Sequence, residues 1–142
     1  DAAQTLAAYH FTDVTAEKLA LFNLRPETDK IKLLSPLRFF DFVKLEKNAL
    51  AVLTDSGTVQ EECAIFEIPN VTVRDVTERP ETVEAGSNIL SGAETERILR
   101  AVELALAQPA DWAAPKEYLA ENVSRTVAKI LLGYTSQRRH ES

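Results

Sequence analysis

Two short stretches of this chain hold residue types that can grip a phosphate. The first is Asp55-Ser56-Gly57-Thr58, where a glycine and two hydroxyls stand just before a segment with helical spacing. The start of a helix carries amides with no partner inside the helix, together with the positive end of the dipole, so it suits an anion. Ser56 and Thr58 would add hydroxyl donors. The plainer reading is that Ser56 or Thr58 caps the helix while Gly57 eases a tight turn. The second stretch is Arg74-Asp75-Val76-Thr77-Glu78-Arg79-Pro80-Glu81. A guanidinium there could close on a diphosphate, because its planar fork fits phosphate oxygens. Alternatively, these charges pair with one another in water.

Glu61 and Glu62 follow the first stretch. Thr58 and Glu61 have the capping-box spacing, which assigns Glu61 to the cap. Glu62, about 100° further round the helix, is left free to accept hydrogen bonds from a ribose. A favourable dipole interaction accounts equally for an acid in a first turn. Cys63 falls on the inner stripe and reads as a buried, inert thiol. Neither His10 nor His140 has a positioned acid or thiol beside it, so there is no catalytic triad to assemble. Trp112, near Pro115, reads as a packing plug, and Arg138-Arg139-His140 is too short for a nucleic-acid footprint.

The elements that must place these residues follow from spacing. Thr15 reads as the N-cap of a short helix, Ala16 to Phe22, ended near Asn23 and by Pro26. Lys30-Ile31-Lys32-Leu33-Leu34, closed by Ser35-Pro36, reads as a strand. Phe39 to Asn48 has helical spacing, with Phe39, Phe42, Val43 and Leu45 inward and Asp41, Lys44 and Lys47 outward. Ala49 to Thr54 is apolar without alternation, as in a parallel strand covered on both faces. A helix from Thr58 to Phe66 sets Val59, Cys63 and Phe66 on one stripe and ends before Pro69. Asn70-Val71-Thr72-Val73 and Ser87 to Leu90 read as two more strands, the latter closed by Gly92. Two helices complete the pattern. Glu94 to Gln108 turns Ile98, Val102, Ala105 and Leu106 inward, and Lys116 to Leu132 turns in Leu119, Val123, Val127, Ile130 and Leu131, with Gly133 just past its end. Strands alternating with helices give right-handed βαβ units, hence an α/β fold with a mainly parallel sheet and helices on both faces. Ligands of such sheets sit beyond the carboxyl ends of the strands. Both polar stretches leave successive strand ends, so an anion at Ser56 falls within reach of Arg79.

Composition narrows the classes of function. With 142 residues, 45% of them hydrophobic, the chain supports one core. It can bury roughly 68–70% of its unfolded surface without a disulfide or metal staple. One cysteine cannot form an internal bridge, and with no signal-like amino terminus the expected location is the reducing cytoplasm. A formal charge of −6 is the wrong sign for a broad grip on nucleic acid or anionic membrane, though not for holding one small anion with local donors. No apolar run approaches the roughly 20 residues of a membrane span.

At Leu53-Thr54-Asp55-Ser56-Gly57-Thr58-Val59-Gln60-Glu61-Glu62, taken with the 74–81 loop and Glu84-Ala85-Gly86-Ser87-Asn88, the chain resembles the non-hydrolysing UDP-N-acetylglucosamine 2-epimerases. The resemblance covers Arg25 to Gly133. Thr58, where many members have a second glycine, and Glu62-Cys63-Ala64-Ile65-Phe66 make it most similar to the branch acting on UDP-linked deoxy-aminosugars for capsule and O-antigen synthesis. The resemblance implies a Rossmann-like three-layer sandwich, one half of a glycosyltransferase-B-like architecture. By position it implies that Ser56, Gly57 and Thr58 form the phosphate-binding turn, and that Glu62 binds ribose. In the same way Arg79 lies in the nucleotide site and Phe42 beside the uracil. The implied ligand is UDP or a UDP-2-acetamido sugar, with no metal or other cofactor, and the family's dimers set the expectation of a homodimer or a partner subunit. The implied reaction removes the C2 proton, expels UDP to leave a glycal-like intermediate, and adds UDP back with C2 inverted.

Family members are more than twice this long, and their acid/base carboxylates belong to an amino-terminal domain not found here. The strand and His-Arg-Arg-type motif that open their carboxyl-terminal domain are also missing, while Tyr9 to Leu19 resembles a piece near the end of the amino-terminal domain. The resemblance therefore implies a shortened chain that keeps UDP binding and lacks identifiable catalytic residues. The expected organisation is an amino-terminal segment with a short helix over 1–24, a UDP-binding Rossmann-like domain over 25–134, and a mobile tail over 135–142. The alternative is a catalytically silent nucleotide-binding or subunit-interaction module.

Overall fold

A computed structural model describes residues 13–25 and 30–134. In chain order the elements are α1 (Asp13–Leu21), α2 (Phe39–Glu46), β1 (Val52–Thr54), α3 (Gly57–Phe66), β2 (Asn70–Thr72), α4 (Pro80–Glu84), β3 (Asn88–Leu90), α5 (Thr95–Ala107) and α6 (Val123–Gly133). The three strands form one parallel sheet in the order β1-β2-β3. Val52, Asn70 and Asn88 stand in one rung, Leu53, Val71 and Ile89 in the next, and Thr54, Thr72 and Leu90 in the third.

Side chains alternate along a strand, so the middle rung faces one side of the sheet and the outer two the other. On the middle-rung side, Val71 packs with Ala101 and Ala105 of α5, and Leu53, Ile89 and Val102 close around them. On the other side Val52 packs with Val59 and Cys63 of α3, flanked by Phe42, Ala49 and Ile68. Helices therefore cover both faces of a parallel sheet, as the sequence predicts.

The α3 side is polar at Asn70, Thr72 and Asn88. Asn70 Nδ2 donates to Asn88 Oδ1 at 3.0 Å, and Thr72 Oγ1 donates to the same oxygen at 2.8 Å. Asn88 Nδ2 donates to Gln60 Oε1 and to Thr82 Oγ1, both at 3.1 Å. Thr77 Oγ1 donates to Gln60 Oε1 at 2.7 Å. These bonds lash α3, α4 and the loop after β2 to the sheet, which fixes where that loop delivers Arg79.

Several expected elements are corrected. Lys30 to Leu34 is not a strand and every residue in it is exposed; a strand must pair its backbone, and among the described residues no strand lies beside it. The first helix begins at Asp13, ahead of the expected Thr15 cap, and closes at Asn23, which adopts φ 51°. Helix α2 stops at Glu46; Phe39 and Leu45 are exposed, while Glu46 is completely buried. The loop after Arg79 contains an unexpected turn of helix, α4, with Pro80 in its first turn, where a missing N–H is harmless. The last helix starts at Val123, not Lys116, because Asn122 takes a left-handed conformation that breaks the helical run. Its apolar stripe, with Leu119 before it, is exposed rather than inward: periodicity shows that a helix is two-faced, not what covers the apolar face. Leu106 of α5 is likewise exposed. Gly133 is the last helical residue rather than the one beyond. The expected mobile tail, His10, His140, Arg138, Arg139 and Pro26 lie outside the described residues.

Candidate functional site

Parallel strands bring their carboxyl ends to one edge, and both polar stretches leave from it. After Thr54 the chain bends at Asp55 and is extended at Ser56 (φ −90°, ψ 130°), whose amide donates to Thr54 Oγ1 at 3.0 Å. Helix α3 then begins at Gly57. Ser56 is its N-cap residue but makes no side-chain cap bond, and no capping box forms. The amides of the first turn face the open edge of the sheet with no intrahelical acceptor. Ser56 is half-buried and Thr58 exposed.

Glu61 has a different task from the one its spacing suggests. It accepts a hydrogen bond from Arg79 Nε in an ion pair. With the N-cap at Ser56 rather than at the expected Thr58, the capping-box position falls on Val59, so Glu61, two residues further along, is left to pair with the guanidinium. Arg79 is fixed from several sides: its amide donates to Thr77 Oγ1 at 3.0 Å, its carbonyl accepts from Thr82 Oγ1 at 2.7 Å, and Nη1 donates to the Glu78 carbonyl at 3.1 Å. The remaining nitrogen, Nη2, lies 3.8 Å from where a Cβ on Gly57 would stand. The guanidinium therefore hangs over the start of α3, as the strand order requires. Glu61 also holds Arg79 more firmly protonated than an ordinary arginine, through its hydrogen bond and then its charge.

The other charges of the loop follow the plainer reading. Arg74 pairs with Glu78 at 3.0 Å, and Asp75 with Arg97 at 3.5 Å. The latter pair closes over Gly92, whose φ of +67° suits glycine; a Cβ there would stand 2.7 Å from Asp75 Oδ1 and would have to displace the pair. Glu81 accepts from the Tyr118 hydroxyl at 2.5 Å. That bond pulls Glu81 below the usual carboxylate range, while burial and then Glu81 push the phenol up.

Glu62 is half-buried on the neighbouring face of α3 and lies within hydrogen-bonding reach of Glu46 on α2. Burial raises the affinity of both for protons, that of Glu46 to about 7. Phe42 lies one turn before Glu46 and packs on Val52, Val59 and Cys63, so its ring is partly in the core. Cys63 is buried, and that burial, with Glu46 and Glu62 beside it, pushes its thiol up and away from reactivity. The Trp112 indole is the expected plug: half-buried, it donates to the Ala64 carbonyl at 3.2 Å.

Ser56, Gly57, Thr58 and Arg79 are thus brought together, with Glu62 one turn along the helix. Sequence reasoning missed Glu46, whose four-residue spacing from Phe42 was the available signal, and the buried supports Gln60, Thr77, Thr82 and Asn88. Among the described residues no cluster of three or more histidine, cysteine or acidic side chains could hold a metal, and no helix is long and apolar enough to cross a membrane.

Comparison with known proteins agrees with this geometry. The family profile described as UDP-N-acetylglucosamine 2-epimerase matches residues 1–132. The UDP-N-acetylglucosamine 2-epimerase of Methanocaldococcus jannaschii is 47% identical over 104 residues, 71% of this chain and 28% of that protein. That of Bacillus subtilis is 34% identical over 119 residues, 81% of this chain and 31% of that protein. The crystal structure of the M. jannaschii enzyme in complex with UDP-GlcNAc and UDP superposes with a TM-score of 0.79 at 40% identity, covering 87% of this chain and 34% of that one. The chain thus spans about a third of the length of these relatives, and its sheet and helices are the Rossmann-like part of their architecture. On sequence and fold together, the chain belongs to the UDP-N-acetylglucosamine 2-epimerase family.

Proposed function

We propose that residues 25–134 form the nucleotide-binding unit of an epimerase that inverts C2 of a UDP-linked 2-acetamido sugar, and that UDP is the part of the ligand this chain holds. The first-turn amides of α3, with the Ser56 and Thr58 hydroxyls, receive the diphosphate, and Arg79 closes over it. Glu62 accepts from the ribose hydroxyls, and Phe42 borders the base. The observation that carries this reading is Arg79 Nη2 poised over Gly57 at an uncapped helix start. Thr58 and the 62–66 run support a UDP-linked deoxy-aminosugar, hence capsule or O-antigen synthesis in the cytoplasm, as the finer assignment.

Two acids beside the helix start are already engaged, Glu61 with Arg79 and Glu62 with Glu46. A base that takes a proton from carbon must be free and within hydrogen-bond reach of it. In this reading the described site binds the leaving group, UDP, and these two acids do not exchange the C2 proton. Titrating the chain with UDP by calorimetry, beside Arg79→Ala, tests this. Saturable binding that weakens at least about tenfold in the variant is expected, the value of a charge-assisted bond. Absence of binding by a chain that circular dichroism shows to be folded would reject it. The subunit-interaction reading, favoured by the uncovered apolar stripe of α6, would then take its place.

A further inference from the structure

Glu46 is completely buried, and neither of its carboxyl oxygens meets a donor. The polar group that does reach it is the Glu62 carboxyl, across from α2 on α3. Other titratable neighbours offer no relief: the Cys63 thiol lies against both carboxyls, and Glu61 stands beyond Glu62. β1, packed behind them, is Val52-Leu53-Thr54 and brings no charge. On α2 itself, Lys47 is placed over the Phe66 ring at 5.1 Å. Two carboxylates packed together away from cations cannot both ionise, whereas one acid and one carboxylate make a strong hydrogen bond.

We propose that Glu46 and Glu62 share a single proton carried by Glu46, and that Glu46 is thereby the positioning residue that aims Glu62 at the ligand's ribose. The second half of this statement rests on the UDP reading above. The Glu46 O–H donates to one Glu62 oxygen and fixes its rotamer, and the lone pairs left on Glu62 accept from the vicinal hydroxyls. Removing the proton leaves two adjacent anions, which push Glu62 out of that pose. Ligand affinity should therefore be highest while the proton is held and should fall as pH rises through about 7.

The test is calorimetry with UDP-N-acetylglucosamine, whose diphosphate is doubly esterified and exchanges no proton near neutrality, between about pH 6 and pH 8.5. The chain is expected to bind about tenfold more weakly at the upper end than at pH 7. Glu46→Gln, whose amide donates to Glu62 at every pH, is expected to keep the low-pH affinity across the range. Glu46→Leu, with no donor, is expected to bind more weakly throughout, with a flat profile. A wild-type profile as flat as that of Glu46→Gln, or a Glu46→Gln variant no better than Glu46→Leu at pH 6, would overturn the proposal. Should the folded chain bind no UDP-sugar, the nucleotide reading fails, and the ribose role with it. Carbon-13 spectra of the glutamate carboxyls in the free chain then decide the shared proton. One carboxyl titrating near neutrality and lost in Glu46→Gln sustains it, and ordinary titration of both removes it.

Discussion

A methyl group on residue 57 would stand 3.7 Å from the Arg79 guanidinium carbon, an ordinary van der Waals contact. Gly57 has no positive φ to require a glycine. Gly57→Ala should therefore leave the fold intact, yet place the methyl between the helix amides and the guanidinium, where the diphosphate is to lie. About tenfold weaker UDP binding with an unchanged circular dichroism spectrum is expected, the scale of one misplaced methyl in a fitted pocket. Cys63 supplies a second check. Its burial and its acidic neighbours predict that a thiol reagent labels it only after urea unfolds the chain; rapid labelling of the folded chain would contradict its place in the core. The place of Ser56-Gly57-Thr58 at a helix start was legible because glycine and hydroxyls follow an apolar run there, and the nearness of Arg79 because strand order sends both loops to the same edge. Glu46 was not. Its spacing from Phe42 pointed inward while its charge argued outward, and only a second carboxyl, distant in sequence, resolves the conflict.

Helices α5 and α6 are both two-faced in sequence, but among the described residues it is α5 that packs on the sheet. Its Ala101 and Ala105 bury Val71 of β2, whereas the apolar residues of α6 stay exposed, Leu132 at 88%. Truncations should separate the two: Val71→Ala should destabilise the chain by about 2 kcal/mol in urea unfolding. Leu131→Ala should cost less than about 0.5 kcal/mol, since it removes no described contact. Equal losses would mean that α6 is part of this core. The central β1-α3-β2 unit was readable because its apolar runs are bounded by Asp-Ser-Gly and Pro signals. The strand expected at Lys30 to Leu34 was not, since apolar spacing cannot reveal whether a neighbouring strand exists to pair with it. The short helix α4 was hidden for another reason. Five residues beginning at a proline carry too little periodicity to stand out from a charged loop.

Across the whole chain, acids with opposite shifts set how stability responds to pH. Glu81 lies below the usual carboxylate range because Tyr118 donates to it, so its contribution is present above the ordinary value and fades as pH falls. Glu46 runs the other way. Its affinity for a proton is raised on folding from the ordinary 4.5 to about 7, so the folded state binds more protons in that interval than the unfolded one. Stability from this group is complete below 4.5 and is lost as pH rises to 7, by about 3 kcal/mol at most. Glu62, raised mainly by burial, pushes in the same direction. The chain should therefore be most stable in mild acid and weaken towards and beyond neutrality, even though its net charge of −6 alone would produce only a gradual change. Urea midpoints measured from about pH 4.5 to 8 should fall steadily in the wild type and much less in Glu46→Gln, whose side chain has no proton to lose. A wild-type midpoint that is flat or rising over that interval would mean that the Glu46 carboxyl ionises in the folded chain as readily as in water, which a completely buried group facing a second carboxyl should not do.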